Sequence, residues 1–112
     1  MKLNKYCFAI NSFQQASETI EFLNSKNIDA IIYIKHYLID RLGIEWINML
    51  NILLNKNNKK YKLYLDCKKN YGLAMNLIEK KIHYLKIDAN SETLKRLNQV
   101  AKKNKVLLNP KF

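Results

Sequence analysis

The chain predicts an α/β fold: a single-domain, open, parallel five-stranded sheet with about four helices. Three observations carry this. Short apolar runs alternate strictly with stretches of helical spacing from one end to the other. Every connection between runs holds a helix-length segment, and such segments cross over between parallel strands. The length of 112 residues suits one core rather than two.

Each element has its own signal. Tyr6–Asn11 is the first apolar run. Ser12 with Gln15 three residues later has capping-box spacing, and Phe13, Ala16, Ile20 and Leu23 follow as one stripe. Asn27, tolerant of left-handed backbone, is the expected stop. Ala30–Ile34 reads as a buried strand. In the next helix Leu42, Trp46, Met49, Leu50 and Leu53 form one stripe, with Ile44, Ile47, Ile52 and Leu54 off it. Gly43 places the start of its regular part at or just after that position. The polar run 55–60 is an exposed loop. Tyr61–Cys67 is the third strand. Asn70 caps a helix over 72–81, in which Gly72 allows close backbone approach. Ile82–Asp88 is the fourth strand. Ser91 caps a helix over 91–103, with Glu92 favourably placed in its first turn. Val106–Leu108 is the last strand, ended by Pro110.

Composition bounds the function. Hydrophobic residues make up 48% of the chain, which argues against disorder. The apolar stretch after Lys2 and Lys5 is too short for a signal peptide, and no run is long enough to span a membrane. A cytoplasmic protein with two reduced thiols, Cys7 and Cys67, is expected. Neither cysteine has metal-ligand spacing with the other or with His36 or His83, so no metal is expected. With two glycines in the chain there is no phosphate-binding glycine loop, and no cofactor is expected.

The formal net charge is +11. Residues 1–56 carry six basic and five acidic side chains, whereas 57–112 carry fourteen and four. That asymmetry points to a polyanionic partner. The bases are 18 Lys against 2 Arg, beside 15 Asn and 13 Ile, a bias typical of a very AT-rich genome. Part of the charge is then drift on solvated faces, and arginine, the better phosphate ligand, is scarce.

Parallel sheets bind ligands outside the carboxyl ends of their strands. Asn11, Ser12, His36, Asp66, Cys67, Asp88 and Asn109 fall at such ends. Ser12, His36, Asp66, Cys67 and Asp88 are therefore candidate ligand-binding residues. Asp66 suits a base, phosphoacceptor or ribose-binding carboxylate, and Cys67 a nucleophile if its pKa were depressed. The plainer alternatives are a loop cap and a buried small hydrophobe. No catalytic triad is legible.

Two surfaces compete with that site. Lys59, Lys60, Lys62, Lys68 and Lys69 interleave with Tyr61, Tyr64 and Tyr71, a pattern able to grip phosphate and stack bases. The surplus apolar positions Ile44, Trp46, Ile47 and Leu54 suggest a homodimer or partner interface.

The run from Leu63 to Asp66, then Gly72-Leu-Ala, Ile82–Ile87 and Ser91–Leu97, resembles the second half of a STAS domain of the anti-sigma-factor-antagonist type. The resemblance covers about half the chain and implies a non-enzymatic protein-interaction switch. Tyr71 stands where that family's phosphorylatable serine would precede Gly72. Asp66 and Asn109-Pro110-Lys111 are similar by position to a response-regulator receiver, but Asn11 and Ser12 replace its acidic pair, so no Mg²⁺ site is implied. A flavodoxin-like or Rossmann-like strand order, 2-1-3-4-5 with helices on both faces, is expected.

The leading expectation is a small non-enzymatic interaction or regulatory domain, a homodimer or a subunit of a larger assembly. The alternatives are RNA or DNA binding through the lysine-rich second half, and small-molecule or nucleotide binding around Asp66.

Overall fold

Ile34, Leu65, Leu85 and Leu108 are register partners on four adjacent strands, and all four are buried. That apolar row is the floor of the core. The structure is a computed structural model and describes residues 7–56 and 60–111. Tyr6, at the start of the expected first strand, and Lys59 lie outside the described residues.

The elements run β1 (Cys7–Ala9), α1 (Phe13–Ser25), β2 (Ala30–Ile34), α2 (His36–Asn55), β3 (Tyr61–Lys68), α3 (Tyr71–Glu79), β4 (Tyr84–Ile87), α4 (Ser91–Lys103) and β5 (Leu107–Leu108). All five strands are parallel, as the alternation predicts. The expected strand order is corrected. It is β1-β2-β3-β4-β5, not 2-1-3-4-5.

This order has a consequence for the layers. Each crossover steps one strand in the same direction, and crossovers share one hand. All four helices therefore fall on one face of the sheet. The core agrees: Ile32, Ile34, Leu63, Leu65, Leu85 and Leu108 join residues of α1, α2, α3 and α4 in a single cluster. Helices on both faces, as expected from sequence, are not found. The order never reverses, so there is no topological switch point. Each fully buried side chain such as Ile32 or Leu63 contributes about 1.5–3 kcal/mol of transfer free energy.

The helix ends follow local chemistry. Ser12 Oγ accepts the Gln15 N–H at 3.2 Å, and the Gln15 side chain reaches back to the Asn11 N–H at 2.7 Å. Asn70 Oδ1 accepts the Leu73 N–H at 3.0 Å. For α4 the cap is Asn90, which accepts the Thr93 N–H at 2.8 Å; Ser91, the expected cap, is the first helical residue. Asn27, Lys81 and Lys105 have φ of 63°, 60° and 59° just past α1, α3 and α4. Behind them the Ile28, Ile82 and Val106 N–H groups donate back to Leu23, Leu77 and Ala101 carbonyls. This repeated left-handed stop satisfies orphan carbonyls at three helix ends.

The apolar phase of α2 is also corrected. Ile47, Leu50 and Leu54 are buried, while Leu42, Met49 and Ile52 are exposed. Gly43, with a non-helical φ of 83° and ψ of 170°, breaks α2 into two pieces but separates Leu42 alone from the rest of the stripe. In the piece after it the buried side is Ile47, Leu50 and Leu54, the face that packs on the core.

Candidate functional site

The bulge at the end of β3 creates the site. Asp66 pairs with Lys86, and Lys68 pairs with Ile87, so Cys67 is an extra residue on β3. Lys68 takes φ 49°, and its N–H donates to Asp66 Oδ1 at 3.0 Å. The Lys68 carbonyl accepts the Asp88 N–H at 2.8 Å, tying the loop after β4 to the bulge. Beyond β4, Asn109 replaces the missing ladder. Its side-chain amide accepts the Ile87 N–H at 2.8 Å and donates to the Ile87 carbonyl at 3.0 Å.

Above these ends lies an open cleft of about 890 Å³. Its cationic side is Lys68, Lys69 and Lys86; His36, Asp66 and Asp88 also line it, with Asn70 at the start of α3. A smaller depression of about 290 Å³ shares His36, Asp66 and Lys68 and extends over Tyr33 and Lys35.

Asp66 is the buried polar residue of the set, 9% exposed. Its Oδ2 accepts the Tyr33 hydroxyl at 3.1 Å while Oδ1 holds the Lys68 N–H. Burial, and then the Asp66 charge, push the Tyr33 phenol well above its ordinary range, so the hydroxyl stays a donor. His36 Nδ1 lies 3.1 Å from the Asp66 backbone carbonyl. A carbonyl only accepts, so Nδ1 carries the proton and Nε2 is the basic nitrogen of the neutral ring.

Two of the five ligand-binding candidates, His36 and Asp66, are thus brought together, with Asp88 at the same cleft. Asp88 is exposed and its carboxylate lies 3.9 Å from Lys69 Nζ, a solvated pair of small energetic weight. Ser12 does not join them. It caps α1 at edge strand β1, which β2 separates from β3. Cys67 is fully buried beneath the cleft, and desolvation, then the Asp66 charge, push its thiol up to about 12. This is the environment of an inert thiol, the reverse of an activated nucleophile.

The other candidates divide. Ile47 and Leu54 belong to the core, and Ile44 and Trp46 pack against it half-buried, so those four do not form an exposed patch. Lys60 and Lys62 sit at the start of β3, whereas Lys68 and Lys69 sit at or just past its other end, about 20 Å away at strand rise. Of the three interleaved tyrosines, Tyr61 is buried with its hydroxyl on Asn51, and Tyr71 caps outward from α3 to the Asp88 carbonyl at 3.3 Å. Lys86, Asn70 and Asn109 complete the cleft. Lys86 was not legible as a site residue because only the strand register places it beside Asp66.

Among the described residues, no three His, Cys, Asp or Glu side chains gather in a way that could hold a metal ion. No helix among them is long and apolar enough to cross a membrane. No protein-family model and no curated protein matches the chain.

Proposed function

We propose that the protein binds a small anionic ligand, of the phosphate-bearing metabolite class, in the cleft at the carboxyl ends of β3, β4 and β5. The observation that carries this is the convergence of Lys68, Lys69 and Lys86 on one concave site with His36. The sheet supplies three separate segments for these groups: the β3 bulge, the loop before α3, and β4. Each Asp66 oxygen already accepts one bond, from the Tyr33 hydroxyl and the Lys68 N–H, which holds the carboxylate in the bulge, and Asp88 lies beside Lys69. The neutral form of His36 offers Nε2 as an acceptor and its protonated form offers a donor. Self-association through the residues expected for it is disfavoured, since Ile47 and Leu54 belong to the core; the apolar side chains that α2 leaves exposed are Leu42, Met49 and Ile52.

Isotope-edited NMR with inorganic phosphate and with a nucleoside monophosphate tests it. Shifts should concentrate at residues 68–70 and 86–88. Lys69→Glu and Lys86→Glu should each weaken binding by about ten- to a hundredfold, the worth of one charge-assisted hydrogen bond. Shifts spread evenly over exposed lysines such as Lys102 and Lys103, or none at all, would overturn the reading.

A further inference from the structure

The face of the sheet opposite the helices carries a second feature, which shares Lys86 with the cleft. Ala9, Tyr33, Tyr64, Tyr84 and Leu107 are register partners across all five strands. The Tyr33 and Tyr64 ring centroids lie 5.0 Å apart and those of Tyr64 and Tyr84 6.4 Å apart. Tyr64, only 8% exposed, sits between its two half-buried neighbours, and Leu107 is 52% exposed at the end of the row. Strand alternation puts Lys62 and Lys86, both exposed, on this same face in the rows before and after the tyrosines. Asp66 also lies on this face, with its oxygens held by Tyr33 and the Lys68 N–H.

We infer that this face is a platform for single-stranded nucleic acid, with bases stacking on Tyr33 and Tyr84 and the backbone following Lys62 and Lys86. Sheets that bind single strands stack bases on aromatic side chains of one face and follow the backbone with cations. The excess of basic residues over acidic ones in 57–112, which holds both lysines, supplies the long-range attraction for a polyanion. The residues differ from those that the sequence pattern singled out: of Tyr61, Tyr64 and Tyr71, only Tyr64 stands in the row.

Fluorescence anisotropy with labelled twelve-nucleotide oligo(U) and oligo(dT), at rising salt, tests the inference. Binding of either is expected, with affinity falling steeply between 50 and 200 mM salt. Tyr33→Ala and Tyr84→Ala should each weaken it by about five- to a hundredfold, while Tyr84→Phe, which keeps the ring and leaves the Tyr33–Asp66 hydrogen bond in place, should leave it near wild type. Lys62→Gln should lower the logarithmic salt slope by about 0.7. As a check that does not depend on how a variant folds, ring protons of Tyr33 and Tyr84 in the wild-type protein should shift on adding the oligonucleotide. Absence of binding at 50 mM salt, or binding that leaves those ring protons unmoved, overturns the platform. Lys69→Glu, which alters the cleft and not this face, should spare oligonucleotide binding; its failure there with the tyrosine variants silent would also overturn it.

Discussion

His83 Nδ1 accepts the Leu63 backbone N–H at 3.0 Å, so a side chain completes the pairing of β3 where β4 has not yet begun. The ring must be neutral at that nitrogen. Burial first, and then the Lys62 charge, lower its pKa below the ordinary histidine value of 6.5. The unfolded chain therefore binds a proton at a pH where the native ring does not. Stability contributed by this neutral ring is full above pH 6.5 and falls as pH drops from 6.5 towards the native value, by at most about 1.4 kcal/mol per pH unit. Urea unfolding across pH 8 to 5 should show this slope, and His83→Phe should remove it while leaving the Leu63 N–H unpaired. An unchanged slope in the variant would dismiss the role.

Asn109 holds both backbone groups of Ile87, standing in for a further residue of β5. Asn109→Ala leaves a partly buried N–H and carbonyl without these partners and should cost about 1–3 kcal/mol. Asn109→Asp keeps the acceptor but loses the donor, and should be destabilising as well. Hydrogen exchange reports it locally: the Ile87 amide should lose protection in Asn109→Ala more than the Leu65 amide does.

Cys67 and Cys7 differ in burial, and thiol chemistry should separate them. Cys67 is fully buried with its thiol pushed up to about 12, so at pH 8 it is protonated and out of reach. Cys7 is half-buried, with a smaller upward push from desolvation. A thiol-reactive disulfide reagent should modify Cys7 first in the native protein, and Cys67 only on the timescale of unfolding. Rapid native labelling of Cys67 would contradict this placement.

The two glycines should respond in opposite ways to alanine. Gly43 has φ 83° and ψ 170°, a region closed to other residues, so Gly43→Ala should cost about 1–3 kcal/mol although open space surrounds its Cβ position. Gly72 is helical, and an added Cβ would meet only Asn70 Oδ1 at 3.7 Å. Gly72→Ala should stabilise by about 0.5–1 kcal/mol. The close backbone approach expected at Gly72 is absent among the described residues. Conversely Lys81, at φ 60°, occupies a position glycine prefers, and Lys81→Gly should stabilise by up to about 1 kcal/mol. Thermal unfolding of the three variants ranks them directly.

What local chemistry controls, the sequence determined by itself. Ser12, Asn70 and Asn27 mark helix ends because capping and left-handed backbone are decided within a few residues. The β-branched run Ala30–Ile34 and the short apolar, tyrosine-bearing run Tyr61–Cys67 read as strands from composition and length, and the helix-length connections make the strands parallel. The expected cap of α4 is Ser91 and the actual cap is its neighbour Asn90, because only the backbone angles separate two adjacent residues that can both cap. The tertiary structure decided the rest. Strand order depends on which edges meet, and sequence spacing is the same for 2-1-3-4-5 and 1-2-3-4-5. That choice puts every helix on one face and leaves the tyrosine row on the other, with Tyr33 and Tyr84 half-buried. It also removes Ser12 from the site and brings Lys86 beside Asp66. Packing against the sheet decided which side of α2 is core, since more than one apolar stripe runs along the piece after Gly43 and only Ile47, Leu50 and Leu54 are buried. Long-range pairing leaves no local trace, so the identity of the cleft had to come from the folded sheet.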